Sequence, residues 1–515
     1  MKSIKEYIES PLNSYYVTPE MFGAKGDGVV DDTSAITAAH NTGWPIRFTK
    51  KYLVNTGWVN INTASKFDGA EFIIGESFSG GHLLRWDSKD NIVISGLKIT
   101  MRHEFGEPSD DGLLGFRKCT NVLIDSCAID KNVTHSNVSD NQPIWFKNCS
   151  GVTVRNSYIG SVTTVSSGGG NGIWYSVGVT EVATNQSFYN FTVENCRFYG
   201  TGDEFIGIWL GGESSGSTGN SIKNVRIIDN FINTTDTNLN CSIAIYNSSA
   251  SSIANENIEN VEISGNYIIG KRIKYSGNIK NFKLIGNRYE SSMSSMFLAR
   301  ETANLDGDLT NWYIADNVVE SNASRCLDVN SVKHFVIKGN HFNQNLGLIK
   351  ATGNLEVEGN YIVGNDTQDD SGWYSNEFYL PTWSSDSTLR GGAKVSNNTF
   401  VNCRFYQCVD TPILVQGNFF SNCDWTIGNS GALEFASNRI VNLTRPFIGY
   451  ADSQTMSICY CHDNFRRLKD DAGGSQGSDS SIATCGFSTN SRGHCANNVI
   501  ANTYNQVREE TWFTN

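Results

Sequence analysis

Two neighbouring stretches decide how this chain folds: Asn224-Val225-Arg226-Ile227-Ile228-Asp229-Asn230-Phe231-Ile232 and Asn260-Val261-Glu262-Ile263-Ser264-Gly265-Asn266-Tyr267-Ile268. Each reads Asn, apolar, polar, apolar, two further residues, Asn, aromatic, Ile. The apolar/polar alternation is that of a half-buried strand. The second Asn suits a tight turn at positive φ, which Asn tolerates better than most residues. The aromatic then opens a second short strand. The unit is therefore strand, one-residue corner, strand.

The unit returns along most of the chain. Earlier copies are Asn91-Ile92-Val93-Ile94, Asn121-Val122-Leu123-Ile124, Val152-Thr153-Val154-Arg155-Asn156 and Phe191-Thr192-Val193-Glu194-Asn195. Later ones include Phe282-Lys283-Leu284-Ile285-Gly286-Asn287, Phe335-Val336-Ile337-Lys338-Gly339-Asn340 and Ile413-Leu414-Val415-Gln416-Gly417-Asn418. Their spacing runs from roughly 19 to 39 residues, within the range of solenoids and propellers. A propeller blade needs four strands in about 40–45 residues, which the shortest copies cannot hold. A fixed short unit with connections of variable length predicts an all-β fold, a single-stranded parallel β-helix, which the resemblance described below implies is right-handed. In such a solenoid each coil buries its inner side chains against its neighbours.

Composition sets outer bounds. The 515 residues carry 40 Lys and Arg against 52 Asp and Glu, a formal net charge of -12. An acid excess without clustered cations argues against nucleic acid as a partner. No stretch is apolar enough to span a membrane as a helix. Met1-Lys2-Ser3-Ile4-Lys5-Glu6-Tyr7 is not followed by the apolar run of a secretory signal. The cysteines number 13. Cys119, Cys127, Cys149, Cys196, Cys403 and Cys423 fall at repeat positions and are expected as reduced thiols stacked inside the coils. Cys459 and Cys461 lack the His/Cys partners of a zinc site, so neither metal nor cofactor is expected.

The run Phe22-Gly23-Ala24-Lys25-Gly26-Asp27-Gly28-Val29-Val30-Asp31-Asp32-Thr33-Ser34-Ala35-Ile36 resembles the opening segment of the pectate-lyase-like superfamily of right-handed β-helices. In that superfamily it opens many bacteriophage tailspikes and capsule depolymerases. The resemblance implies a virion tail protein, made in the host cytoplasm, that binds and cuts a bacterial surface polysaccharide. It also implies a homotrimer, attached to other phage tail proteins through its N-terminus. Asp27, Asp31 and Asp32 are expected to be structural: Asp32 or Thr33 caps a short helix through Ala35, Ile36, Ala38 and Ala39 that closes the solenoid. The division expected is 1–16 as lead, 17–80 as opening coils and cap, 81–465 as β-helix and 466–515 as C-terminal coils with possible trimer contacts.

A second column of strands carries the candidate chemistry. Pro143-Ile144-Trp145-Phe146, Gly172-Ile173-Trp174-Tyr175, Gly207-Ile208-Trp209-Leu210 and Ala244-Ile245-Tyr246 align on an inward Ile. Period-two alternation then turns Trp145, Trp174, Trp209 and Tyr246 outward. Outward indoles on successive coils call for a ligand, a covering loop or a neighbouring subunit. Flat rings at coil spacing suit stacked sugars. Arg102, Arg117 and Lys147 stand near enough to hold an acidic one, and Tyr175 joins the proposed binding set.

Carboxylates flank this column: Asp110 and Asp111, Asp140, Asp203 and Glu204, and Glu213. Thr201-Gly202-Asp203-Glu204-Phe205-Ile206-Gly207-Ile208 resembles the acidic segment of polygalacturonases, with Glu204 departing from that pattern. Glycoside hydrolysis needs a carboxyl that donates a proton and a carboxylate that acts as base or nucleophile. Their separation is about 5–5.5 Å for retention and about 6.5–9.5 Å for inversion. Asp203 with Glu204 or Glu213 suits such a pair, with Asp140 in reserve. Asp111 is about three coils away, too far to pair directly at roughly 4.8 Å per coil. A lyase would instead need a base such as His103, His135 or Tyr175. A non-catalytic glycan-binding adhesin is the third reading, since the fold alone does not choose.

Overall fold

The computed structural model describes residues 16–101, 113–131, 142–161, 172–177, 185–200, 204–210, 219–234, 241–247, 257–291, 296–300, 309–321, 326–344, 347–351, 353–364, 377–380, 392–407, 413–427, 432–443, 448–450, 458–462, 465–468, 493–501 and 507–513. The chain divides into two compact units, Met1–Asn278 with Ala303–Leu305, and Ile279–Thr302 with Asp306–Asn515. Each is a stack of coils built from short strands paired in parallel and in register. In the first unit Val122, Val152, Phe191, Val225 and Val261 lie in one column. Ile129, Ile159, Phe198, Ile232 and Ile268 form another. All ten are buried. Side chains alternate in and out along a strand, so register alone stacks like on like down the interior. The second unit repeats the plan, for example Leu355, Ala393, Ile413 and Leu433, and ends in an antiparallel pair, Gly493–Ala501 with Val507–Phe513.

The corner between the two strands of the repeat has two residues, not one. In the copies around Asn230, Asn266, Asn340 and Asn398 the left-handed conformation belongs to the residue before the Asn: Asp229 at φ 54°, Gly265 at 65°, Gly339 at 65°, Asn397 at 57°; at Asn156 and Asn195 the Asn takes it itself, at 51° and 49°. In the four named first the Asn itself points inward and is buried. Its amide has work there that a turn-forming residue at the surface would not have. Asn340 Nδ2 donates to Asn360 Oδ1 at 2.9 Å and to the Ile314 carbonyl at 2.9 Å. Asn340 Oδ1 accepts from the backbone N–H and Nδ2 of Asn317, at 3.0 and 2.8 Å. The same contacts recur through Asn360, Asn398, Asn418 and Asn438. Each amide satisfies backbone groups at a bend where no strand partner can reach them. The aromatic after the Asn faces out: Phe231 and Tyr267 meet edge to face at 5.4 Å.

The aspartates of the opening segment are structural. Asp27 accepts from the amides of Val29 and Val30 at 2.8 and 2.9 Å. Helix Thr33–Asn41 has Asp32 at the N-cap position, but its carboxylate turns away from the helix. It accepts instead from the amides of Lys25 and Gly26 at 2.6 and 3.0 Å. Asp31 takes the Thr33 amide at 2.9 Å. Ala35, Ile36 and Ala39 are the buried face of that helix, and Trp58 Nε1 donates to Thr37 Oγ1 at 3.1 Å. Cys119, Cys127, Cys149, Cys196, Cys241, Cys326, Cys403 and Cys423 are buried and form no disulfide. Among the described residues no helix is long and apolar enough to cross a membrane.

Two outcomes test this account. Asn340→Ala leaves two buried donors of Asn317 and the Ile314 carbonyl without partners, a loss of about 2–4 kcal/mol, read as a lower denaturant midpoint. Glu71 stands in register between Lys51 and Lys98, at 3.2 and 3.0 Å. Burial pushes its carboxyl up, but Lys98, Lys51 and Thr100 outweigh it and hold it below the ordinary value. A carboxyl lowered on folding contributes stability above its unfolded pKa and loses it as pH falls through the folded one. Glu71→Gln is therefore expected to melt lower than the wild type at neutral pH, with the two melting points converging below the ordinary glutamate pKa.

Candidate functional site

The strands Leu114–Arg117, Ile144–Lys147, Ile173–Val177, Glu204–Leu210, Cys241–Asn247 and Ile273–Ser276 stack in register within the first unit. Their inward columns are Leu114, Ile144, Ile173, Ile206, Ile243, Ile273 and Phe116, Phe146, Tyr175, Ile208, Ile245, Tyr275. Trp86 continues the second column below Phe116, the rings stacked at 5.2 Å and 6°. The outer face carries what the inner columns exclude. One outer column runs Arg85, Gly115, Trp145, Trp174, Gly207, Ala244, Lys274; the other runs Asp87, Arg117, Lys147, Ser176, Trp209, Tyr246, Ser276.

This register corrects the alignment read from the sequence. Trp174 pairs with Gly207, and Trp209 pairs with Ser176, a slip of two residues. A slip of two preserves the face, so the indoles share one side but stand in two adjacent columns. Trp174 and Trp209 meet diagonally, centroids 5.0 Å apart at 71°, and Trp209 meets Tyr246 at 5.8 Å and 63°. All three rings are half-buried. Trp145 departs from the expected exposure: it is only 5% accessible, with Lys147 Nζ 5.5 Å from its ring centroid.

Tyr175 is not a binding residue or a base. It faces the interior, fully buried, stacked on Phe191 at 4.4 Å. Its hydroxyl donates to the Cys149 carbonyl at 2.7 Å, and burial drives its pKa far above the ordinary tyrosine value.

Glu204 is the one acid of the proposed catalytic set among the described residues; Asp203, Glu213, Asp140 and Asp111 lie outside them, as do Asp110, Arg102, His103 and His135. Phe205 and Ile206 are both buried, Phe205 against Phe198 at 6.0 Å. That double inward step puts Glu204 out of phase with Ile206, on the outer side. A Cβ added at Gly207 would lie 2.9 Å from Glu204 Oε2 and 2.6 Å from Trp174 Cζ3. Carboxylate and indole therefore share the space over Gly207, and Glu204 is only 5% accessible. The sequence reading passed over Gly207, the Arg85–Asp87 ion pair at 3.0 Å and the buried Lys274 on this face. The alternation in Ile273-Lys274-Tyr275 was the signal for the last.

The face thus offers an aromatic ledge over three coils, cations beside it and a shielded carboxyl group. Rings at coil spacing can take the flat faces of a sugar chain, and a carboxyl can donate or accept a proton.

No known family model matches the chain. Over 36 residues it is 58% identical to Depolymerase 1, a capsule-specific protein of Klebsiella phage K5-2; these are 7% of this chain and 4% of that protein. The match thus spans a small part of either. Among solved structures, the N-terminal fragment of gene product 12 of bacteriophage Phi29 is 14% identical, with 97% of this chain and 96% of that one covered at a TM-score of 0.45. Endo-xylogalacturonan hydrolase of Aspergillus tubingensis is 13% identical, covering 72% and 100%, TM-score 0.36. The tailspike of E. coli bacteriophage HK620 is 12% identical, covering 96% and 86%, TM-score 0.32. Likenesses this loose carry no inference about chemistry.

Tyr175→Phe removes one buried hydrogen bond. It is expected to lower stability by about 1 kcal/mol, read by denaturant unfolding, and to leave affinity for any bound glycan unchanged.

Proposed function

We propose that this chain is the β-helical part of a phage tailspike that binds a bacterial surface polysaccharide, a capsule, exopolysaccharide or O-antigen, and cuts it by endo-glycosidic hydrolysis. The observation that carries the reading is the outer ledge of Trp174, Trp209 and Tyr246 with the Glu204 carboxyl set beside it. The opening segment and the short, strong match to a capsule depolymerase support it. The sugar chain lies along the stack, its rings against the indoles, with Arg117 and Lys147 able to meet acidic substituents. Trp145, under Lys147, backs that end of the ledge.

In this reading Glu204 is one member of the carboxyl pair. Asp203 or Glu213 is the other, with Asp140 in reserve and Asp111 more distant. Elimination of an acidic polymer is the second reading, favoured by the cations Arg117 and Lys147 on the same face. The working assembly is a homotrimer, with residues 1–16 joining other tail proteins, 17–80 and 81–465 forming the helix and 466–515 the C-terminal coils and trimer contacts.

Incubation with purified capsular polysaccharides, followed by mass spectrometry, tests the activity. Expected are short oligosaccharides without the absorbance of an unsaturated uronate; that absorbance would establish a lyase, and no shortening of any polymer would leave an adhesin. Glu204→Gln is expected to lose about 100-fold or more in turnover while keeping glycan affinity. Wild-type turnover in that variant would remove Glu204 from the site.

A further inference from the structure

We propose that the side of the coil next to the ledge carries a second, non-catalytic site for the same polysaccharide, in which Tyr158, Tyr199, Phe231 and Tyr267 take sugar rings and Arg197 takes a carboxylate of an acidic sugar. The inference rests on the reading of a polysaccharide as ligand, not on its cleavage.

The strands Tyr158–Ser161, Arg197–Gly200, Phe231–Thr234 and Tyr267–Ile269 stack in register in the first unit. Their inward positions, Ile159, Phe198, Ile232 and Ile268, complete the core without help from the outer ones. One outer column runs Tyr158, Arg197, Phe231, Tyr267; the other runs Asp130, Gly160, Tyr199, Asn233. Tyr158 is 37% exposed and Tyr199 48%, while Phe231 and Tyr267 are half-buried. A single exposed ring is ordinary on a protein surface, but rings on four successive coils form a patch that calls for a ligand. Over three coil rises the patch is about 14 Å long.

Its chemistry is that of a sugar site. The rings offer flat apolar faces, and Asp130 and Asn233 stand beside them to meet hydroxyl groups. Gly160 leaves the space this needs: a Cβ there would stand 3.3 Å from the Tyr158 hydroxyl and 2.9 Å from Asp130 Oδ1. Burial, the Asp130 carboxylate and Tyr199 together push the Tyr158 hydroxyl above the ordinary tyrosine value, as expected where the three groups gather. Arg197 names the charge of the polymer. Outward cations on neighbouring strands are paired: Lys98 with Glu71 at 3.0 Å, Arg155 with Asp125 at 3.2 Å, Arg226 with Glu262 at 3.5 Å. Arg197 is exposed and has no ion-pair partner among the described residues. It stands in register between two aromatic residues, Tyr158 and Phe231, and a guanidinium is suited to hold a carboxylate through two parallel hydrogen bonds.

The patch also adjoins the ledge. Residues 201–203 alone separate Gly200 from Glu204, where the ledge strand of that coil begins. One long polymer can therefore engage both sides of the coil, and the second contact adds affinity at a high effective concentration.

The test uses the full chain and, as probe, the capsular polysaccharide that wild type binds most tightly in the panel above. That polymer is expected to carry carboxylates; a neutral one overturns the role given to Arg197. Hydroxyl-radical footprinting maps the face directly. The polymer is expected to protect Tyr158 and Tyr199 of wild type from oxidation, and to protect them still in Trp209→Ala, where the ledge is broken. Tyr199→Ala, at an exposed position, is expected to weaken binding of the polymer about tenfold. Arg197→Ala is expected to lose about tenfold on the native polymer and nothing on the same polymer after its carboxyl groups are reduced to alcohols. Equal loss on the two polymers overturns the assignment of the carboxylate. Tyrosines that oxidise equally fast with and without polymer, or a Tyr199→Ala that binds as wild type does, overturn the site. A Tyr199→Ala that falls to a smaller assembly in light scattering at unchanged affinity also overturns it, making this face a contact between copies of the chain. Binding and protection without any cutting would overturn the hydrolytic reading alone and leave this site standing; wild type that binds no capsular polysaccharide would overturn both.

Discussion

Everything in this protein depends on parallel pairing in register, and the buried asparagine amides enforce it at the place where it is weakest. Strand pairing satisfies the backbone along the flat parts of a coil. At the corner the chain turns and its amides point away from any strand partner. An unsatisfied buried amide costs about 1–3 kcal/mol. Asn340 and its neighbours meet that cost with a side chain that donates backward to the carbonyls of Ile314 and Lys338 and contacts the next Asn above. A one-residue slip would take the amide out of reach of both neighbours. The ladder therefore fixes phase as well as contributing stability, and every column elsewhere in the coil inherits that phase.

The outer face of the first unit shows what inherited phase makes possible. Along the strands around Trp174 the interior accepts Ile, Phe and Tyr in strict columns, so the outer columns hold whatever remains. Those residues do not pack inside the coil; they meet one another across its outer face, as Trp174, Trp209 and Tyr246 do. The arrangement is economical in one respect: the inward Phe116, Phe146 and Tyr175 stiffen the strands that present Arg117, Lys147 and Trp174 on the other side. Contrast the charged positions that only hold the fold. Lys51, Glu71 and Lys98 alternate in sign up their column, as do Arg226 and Glu262, and Lys338 and Glu358. Arg117 and Lys147 instead stand in register with the same sign. Like charges placed opposite each other on a sheet are unfavourable; here Arg117 also stands in register with Asp87 on its other side, and Lys147 lies over the Trp145 ring.

How much of this could be read from the residues follows from which signals are local. The coil repeat was legible because alternation and a recurring Asn survive any change in loop length. The corner was misjudged by one residue because both Asp229 and Asn230 are residues that tolerate positive φ; only burial tells the turn from the ladder. The outward sense of Trp174 and Trp209 was legible, since alternation decides it. Their register was not, because Ile206, Ile208 and Ile173 offer equivalent inward anchors two residues apart. Tyr175 was the avoidable error: the alternation that sent Trp174 outward sends its neighbour inward. Asp32 shows the limit of motif reading. It holds the N-cap position, yet the amides of Lys25 and Gly26 compete for its carboxylate and win.

Glycine in an outward strand position is a signal of more general use. Gly207 lies under Trp174, Gly115 under the stem of Arg85 at 3.3 Å, and Gly160 where the Tyr158 hydroxyl and the Asp130 carboxylate come within 3.3 and 2.9 Å of a notional Cβ. None of the three has the positive φ that would otherwise account for the residue. In each case a neighbouring side chain occupies the space a Cβ would take, at the expense of local β propensity. A standing side chain on an outer face samples several rotamers and loses that freedom when a ligand arrives. One laid across a glycine has lost it already, on folding. A solenoid surface that must grip a long, weakly featured polymer gains most from positions settled in advance, and the absent methyl group at Gly207 settles two groups at once, the indole and the carboxyl beside it.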